Sequence, residues 1–549
     1  MCDMGGLDNL VANTAYLKAQ EGDEKEMKKR RRSLSLPKLE QSSSIRKSIE
    51  KDFESLCEKQ PLGKTFFHQF LLASKPEYVA AAEFLDELQD WELAVGGAKD
   101  KNRQNIINKF CKADSKSFLS YLTRDVAEKC TAVSDKDFEE VMVDKVRDTT
   151  REFLKAKPFT EYQTSPFFEK FLQWKEYEKQ KITEKYFYEF RTLGKGGFGE
   201  VCAVQVKNTG QMYACKKLDK KRLKKKNGQG MALLEKQILE KVNSLFIVNL
   251  AYAYETETHL CLVMNLMTGG DLKYHIYNMG EKGIQMERVI YYTAQITMGI
   301  LHLHAMHIVY RDMKPENVLL DSFGQCRLSD LGLAVELPGK KTICQKAGTS
   351  GYMAPEILKQ ESYRTSVDWW ALGCSIYEMV AARLPFKDYK EKVQMEEVAR
   401  RTLEDQCKYS HKHFDPPTKN IIHLLIKKKV DERLGCRGDD PRKHEFFKSI
   451  NFPRLEAGLI DPPWVPNPNV VYAKDSTTIR DFSQVKGIEF EAKDEKFFRE
   501  FSTGAVSIPW QQEMLDSKLF DELNDPNRKE SSAEFDNADG KKSKSCTLL

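Results

Sequence analysis

Within the run Ile308-Val-Tyr-Arg-Asp-Met-Lys-Pro-Glu-Asn317, an Arg-Asp pair is followed closely by a lysine and then an asparagine. Those residue types at that spacing suit phosphoryl transfer. Asp312 can orient a hydroxyl and accept its proton, Lys314 can neutralise charge on the moving group, and Asn317 can hold a magnesium ion. These ten residues alone would also suit a polar surface turn. Their neighbours argue for chemistry: Asp330-Leu-Gly332 offers a second metal-binding carboxylate, and Ala354-Pro-Glu356 closes the segment that follows. Upstream, Gly194-Lys195-Gly196-Gly197-Phe198-Gly199-Glu200-Val201 can cover nucleotide phosphates with its backbone N–H groups. Lys216 can then contact the α- and β-phosphates of ATP, with Glu235 as its ion-pair partner. A glycine pattern by itself is weak evidence, but elements of five kinds in this order are not.

Positioning these groups takes a strand-rich unit followed by a helical one. Phe190–Val206 and Gln211–Leu218 read as strands flanking the glycine-rich turn, and Met231–Val242 as the helix that carries Glu235. Leu260 to Asp271 reads as a buried strand ending in a turn, suited to an adenine-binding hinge. Met264 and Met267 would line the ring and Asp271 would reach the ribose hydroxyls; an ordinary strand end is the alternative. A helix begins at Asp368-Trp-Trp, and Arg433 is placed to pair with Glu356 in a structural role. The run Lys220–Lys226 reads as a solvated loop, with a membrane-facing role as the alternative.

The remainder frames this unit. The 549 residues suggest three or four domain-sized pieces, with 41% apolar residues to build cores and 31% charged ones to keep surfaces wet. A net charge of only +5 leaves electrostatic recognition to local clusters, and a nucleic-acid partner is not expected. Thirteen cysteines without a C-x-x-C pair or metal-ligand spacing read as reduced thiols. No apolar run is long enough to span a bilayer, and Cys2 excludes N-myristoylation. Residues 5–20 place Leu7, Leu10, Val11 and Leu17 on one helical stripe that needs a partner. Lys28-Lys-Arg-Arg-Arg32 and the polar run through Ser44 read as a linker with a basic cluster. From Phe53 to Trp174 the periodicity is helical, with Phe84, Leu88 and Trp91 on one face.

Taken together, these motifs resemble a protein kinase, with Lys314 as the serine/threonine marker. In kinases the helix that begins at Asp368 anchors the catalytic loop. Asp330-Leu-Gly in place of Asp-Phe-Gly, and Tyr310 in place of histidine, depart from the pattern without removing a ligand or the base. Asn451-Phe-Pro, Pro462-Pro463 and Phe498-Arg-Glu-Phe501 are similar to the AGC group, whose tail wraps the small lobe. Where many of that group carry a switch threonine, this chain has Gln345, so activation by phosphorylation there is not expected. Leu7 to Ala15, Phe53-Glu-Ser-Leu-Cys-Glu-Lys-Gln-Pro-Leu-Gly63 and Ala347-Gly-Thr-Ser-Gly-Tyr-Met-Ala-Pro-Glu356 resemble the G protein-coupled receptor kinases, most closely the visual subtype, the cone opsin kinases.

That resemblance implies an α+β chain: a bilobal kinase fold inserted in an all-α regulator-of-G-protein-signalling homology domain. The expected divisions are a receptor-docking helix and basic linker (1–50), the helical domain (51–175), the kinase (188–450), its C-terminal extension (451–503), a return to the helical domain (504–530) and a tail (531–549). The implied activity is transfer of the ATP γ-phosphate, with Mg2+, to light-activated opsin, which shuts off its signalling; a non-catalytic scaffold binding receptor or G protein is the alternative. Cys546 opens a CaaX box favouring geranylgeranylation, with removal of residues 547–549 and carboxyl methylation. With Lys541, Lys542 and Lys544 it implies peripheral attachment at the cytoplasmic face, in the cone outer segment. Arg30-Arg-Arg-Ser33-Leu matches the preference of the cyclic-AMP-dependent kinase, making Ser33 a candidate phosphorylation site.

Overall fold

The computed structural model describes residues 24–196, 198–473 and 487–528. The expected N-terminal helix with Leu7 and Leu10, Gly197, and the tail with Cys546 lie outside the described residues.

A sheet of six antiparallel strands forms the small kinase lobe: β1 (Phe187–Gly196), β2 (Gly199–Val206), β3 (Met212–Asp219), β4 (Leu250–Glu255), β5 (His259–Asn265) and β10 (Gly504–Ala505), in the order β1-β2-β3-β5-β4-β10. The stretch expected as one strand from Phe190 to Val206 is two strands folded about the glycine-rich turn. Four shorter strands carry the catalytic groups of the large lobe. These are β6 (Ile308–Val309) paired with β9 (Val335–Glu336), and β7 (Val318–Leu320) paired with β8 (Cys326–Leu328). Beneath them the long helices Met286–Ala305 and Ser366–Ala381 bury nearly every residue of the latter, as their continuous apolar runs require.

The helical domain precedes the kinase. Its helices Pro61–Leu72, Pro76–Leu93 and Pro166–Glu178 each open on a proline, where the missing N–H would have had no intrahelical partner. Ser165 caps the last of these through the Phe168 N–H. The chain returns to this domain after the kinase. β10 adds to the edge of β4, with Gly504 opposite Ala253, and the helix Ser507–Asp516 then inserts Trp510 beside Trp174 and Tyr177. Phe520 follows, its ring 5.2 Å from Phe66. One apolar core therefore runs from the helical domain onto the back of the kinase sheet, through Val204, Tyr213 and Tyr252.

Three readings are corrected. Residues Glu24–Arg32 form a helix, not a solvated linker, and Arg31 is buried. Its Nε donates to Asn208 O (2.8 Å), its Nη2 to Thr209 O and Ser517 O, and its Nη1 pairs with Glu522. Periodicity could not show this, because every partner lies far along the chain. The basic run after β3 is the helix Lys220–Lys225, capped by Asp219. Lys220 sits over the Phe498 ring and Lys224 pairs with buried Asp494 (2.7 Å), so these lysines clamp the tail helix Ala492–Phe501 onto the small lobe. Finally, not every cysteine is a thiol: Cys111 and Cys130 form a disulfide inside a second helical core with Phe84, Trp91 and Phe138.

Candidate active site

Asp368 fixes the catalytic loop from below. It is fully buried; its Oδ2 accepts from the Tyr310 N–H (2.9 Å) and its Oδ1 from the Arg311 N–H (2.8 Å), while His304 Nε2 lies 2.8 Å from Oδ2. Arg311 is held in the left-handed region (φ 68°), as is Asp330 (φ 55°), a conformation that non-glycine residues adopt at a cost. The turn delivers Asp312 into the cleft. Its Oδ1 accepts from Thr349 Oγ1 (2.7 Å) and its Oδ2 from Asn317 Nδ2 (2.9 Å), with Lys314 Nζ 3.0 Å from Oδ2. Thr349 also accepts from Lys314 Nζ (2.9 Å), so hydroxyl, ammonium and carboxylate hold one another.

Thr349 was not singled out from the sequence, although it lies in the quoted Ala347–Glu356 run. Its position just before the Ala-Pro-Glu triplet was the available signal. Tyr310, which replaces a histidine, is accounted for: its hydroxyl donates to Ser329 O, while Asn317 O accepts from both Ser329 N–H (2.8 Å) and its hydroxyl (3.0 Å). The loop and the Asp330 segment are therefore bonded together. Gln345 also has a defined role. Its Oε1 accepts from Arg311 Nη1 (2.8 Å), and its backbone carbonyl accepts from Tyr363 OH (2.7 Å). Arg311 Nε donates to Leu333 O (2.6 Å), so a neutral amide joins the activation segment to the catalytic loop where a phosphothreonine would do so by charge.

Across the cleft, Lys216 Nζ stands 3.5 Å from Glu235 Oε1. Burial raises the Glu235 pKa; Lys216 opposes this and Asp330 adds to it. Gly332 donates its N–H to Asp330 Oδ1 (3.1 Å), and a side chain there would meet that oxygen. At Gly199 a Cβ would strike Lys217 O of β3, so the glycine-rich hairpin closes on its neighbour only without a side chain. Phe198 is buried, with Lys226 over its ring, and Val201 is buried beside Ala203. Met264 and Met267 are buried in the core at the end of β5. Asp271 caps the helix Leu272–Tyr277 through the Tyr274 N–H (2.8 Å), a duty additional to the ribose contact expected of it. Glu200 is half-buried at the start of β2.

These residues suit a hard divalent cation. Asp312 and Asp330 offer carboxylate oxygens, and the Asn317 nitrogen is committed to Asp312, which leaves its carboxamide oxygen as the ligand atom. Further out, Arg433 and Glu356 make a fully buried bidentate pair (2.6 and 3.0 Å) that fixes the end of the activation segment. A cavity of about 940 Å³ lies elsewhere, between the helical domain and both lobes, and none of these catalytic side chains lines it.

A two-lobed kinase is thus set within a helical domain by a chain that leaves and returns. Residues 187–447 match the protein kinase domain family, and residues 52–171 match the regulator of G protein signaling domain. Over the full length of both chains the protein is 75% identical to "Rhodopsin kinase grk7a" of Danio rerio and 72% to "Rhodopsin kinase grk7-b" of the same fish. It is 58% identical to "Rhodopsin kinase GRK7" of Homo sapiens, covering 96% of this chain and 97% of that one. The chain belongs to the G protein-coupled receptor kinases, in their rhodopsin kinase branch, and is a serine/threonine protein kinase.

Proposed function

We propose that this kinase transfers the γ-phosphate of ATP to serine and threonine residues of light-activated opsin, desensitising the receptor. The observation that carries the reading is the closed set Asp312–Thr349–Lys314–Asn317, joined through Ser329 to Asp330. Asp312 orients the acceptor hydroxyl and takes its proton. Lys314 holds positive charge beside Asp312, where negative charge on the transferred group is offset. Lys216, steadied by Glu235, and the glycine-rich hairpin hold the phosphates, and Met264 and Met267 enclose the base. Asn317 and Asp330 would hold Mg2+, which supplies charge neutralisation between the phosphates.

Opsin specificity rests on the names of the relatives. The reading extends to attachment at the cytoplasmic face of the cone outer segment through Cys546 and the nearby lysines, and to control at Ser33 by the cyclic-AMP-dependent kinase. Purified protein with ATP and magnesium should phosphorylate illuminated opsin far faster than opsin in the dark. Equal transfer in light and dark would overturn the opsin assignment, and no transfer to any acceptor would overturn the catalytic one.

A further inference from the structure

The cavity of about 940 Å³ behind the kinase is large enough for a drug-sized molecule. All three units build its wall: Pro61 and Ile508 come from the helical domain, Tyr213 from the small lobe, and Met298 and Leu301 from the large one. Leu245 and Phe323 also line it and are 52% and 70% exposed, so an apolar body can enter from solvent. The cations of the lining differ in one respect. Lys59 is paired with Glu54 (2.8 Å) and Arg442 with Asp440 (2.9 Å). Arg327, on β8, has no ion-pair partner among the described residues. Its Nε is buried without a hydrogen bond, and its Nη1 reaches the Ile247 carbonyl at 3.3 Å and Asn265 Oδ1 at 3.4 Å. Burial lowers the Arg327 pKa and Asp321 opposes the shift, but Asp321 Oδ1 already accepts from the Phe323 and Gln325 N–H groups. A guanidinium taken out of water without an anion is costly.

We propose that this cavity is a binding site for an amphipathic monocarboxylate, whose carboxylate pairs with Arg327 while its hydrocarbon body lies against Met298, Leu301, Leu245 and Phe323. A guanidinium presents its N–H groups in a planar fork that matches a carboxylate and forms charge-assisted bonds with it. The charges of the wall select a single negative group. Asp321, Glu456, Glu513 and Asp516 share the lining, and Lys59 and Arg442 are already paired. A phosphate or a dicarboxylate would bring a second charge against those four acids with no free cation to receive it, and repulsion of that kind excludes competing ligands. A wholly apolar guest fits the Met298–Leu301 side but leaves Arg327 as it was. The ligand class therefore follows from one unpaired cation beside an apolar wall.

The test titrates the full chain with octanoate, nonanoate, decanoate, decanedioate and decanol by calorimetry. The three monocarboxylates should bind at one site per chain, each added CH2 lowering Kd by about fourfold. Decanedioate should bind about tenfold more weakly than decanoate, as expected when its second charge finds no partner. Arg327→Met should weaken decanoate by about tenfold and leave decanol unchanged, and Arg327→Lys should restore part of the loss. Phe323→Asp changes an exposed turn residue, so folding is spared; it should weaken decanoate about fivefold through lost apolar contact and like charge. Saturating ATP and magnesium should leave decanoate bound. Wild-type affinity for decanoate in either Arg327→Met or Phe323→Asp overturns the proposal. So does an equal loss of decanoate and decanol in Arg327→Met, which would make Arg327 a support for the wall. Displacement of decanoate by ATP would put it in the nucleotide cleft and overturn the proposal as well.

Discussion

Asp312 and Glu513 are both buried carboxylates that accept from a threonine, yet they sit in opposite electrostatic settings. Asp312 shares its threonine with a lysine and an asparagine in the cleft. Glu513, on the return helix Ser507–Asp516, accepts from Thr209 Oγ1 (2.5 Å) in the turn between β2 and β3 and from Tyr213 OH (2.8 Å) and Tyr252 OH (2.7 Å) on the kinase sheet, all neutral donors. Burial therefore pushes the Glu513 pKa up to about 7, its three donors oppose the shift, and Asp516 adds to it. A catalytic carboxylate is kept beside cations that its chemistry uses. The one at the domain junction fastens two units and is left to titrate.

Removing the first charge should have the largest effect. Asp312→Asn keeps the shape but loses the base and the orienting charge, so kcat should fall by at least about a hundredfold. Melting temperature should barely move, because Thr349 and Lys314 still have partners. Turnover near the wild-type rate, in a steady-state assay with peptide, would refute the role of Asp312.

Changing the second carboxylate should do the reverse. The folded-state pKa of Glu513, about 7, lies above its ordinary value of 4.5. The unfolded chain then releases its proton first. The stability linked to Glu513 is complete below about pH 4.5, declines as pH rises and is lost through pH 7. Glu513→Gln removes this loss, so the variant should gain on wild type by about 2 kcal/mol between pH 5 and pH 8, with peptide turnover preserved. Parallel melting curves for the two proteins over that range would show that the tyrosine hydroxyls hold the charged form without penalty.

A third change separates packing from chemistry at the same junction. Arg31 joins the helix Glu24–Arg32 to the Asn208–Thr209 turn of the kinase and to Ser517 and Glu522 of the return segment. Arg31→Ala leaves three carbonyl groups short of a donor, at a cost of about 1–2 kcal/mol. Amide exchange should rise at Asn208, Thr209 and Ser517 and stay constant around Asp312. Faster exchange in the catalytic loop as well would mean that the junction supports the active site.

The same contrast explains what could be read from sequence. The catalytic groups Asp312, Lys314 and Asn317 sit within six residues because one loop must deliver them, so spacing reveals them. The buried Glu356–Arg433 pair was legible for another reason: both ends fall in short motifs. Glu513 and Arg31 carry no such mark. Glu513 is bonded to Thr209 and Tyr252, Arg31 to Asn208 and Glu522, and only the completed fold brings these together. Lys28–Arg32 reads as a linker with a basic cluster because five cations in a row usually stay in solvent. Nothing local could show that one of them is buried. The helical domain was legible as helices, from the spacing of Phe84, Leu88 and Trp91, but the Cys111–Cys130 bridge within it was not.

Ser33 should give the smallest effect. It follows the helix Glu24–Arg32 directly, is exposed, and donates its hydroxyl to Arg30 O (2.7 Å). A phosphate there adds about −1.5 to −2 charge at the end of a helix, where the backbone carbonyls already disfavour anions. Arg30 already gives its Nε to Asn208 Oδ1 (3.0 Å), and Arg31 could answer it only by leaving its buried partners. Charge at Ser33 therefore works on the helix and its junction, not on a free basic cluster. Ser33→Glu carries a smaller charge and should cost about 0.5 kcal/mol of stability, near the lower end of helix-terminus effects. It should raise the apparent KM for illuminated opsin about twofold, as expected when only that fraction of binding energy is lost, and leave soluble-peptide kinetics unchanged. Enzymatic phosphorylation should move both quantities further in the same direction. If phosphorylated and unmodified proteins share one melting temperature and one opsin KM, the junction tolerates the charge and Ser33 has no bearing on docking.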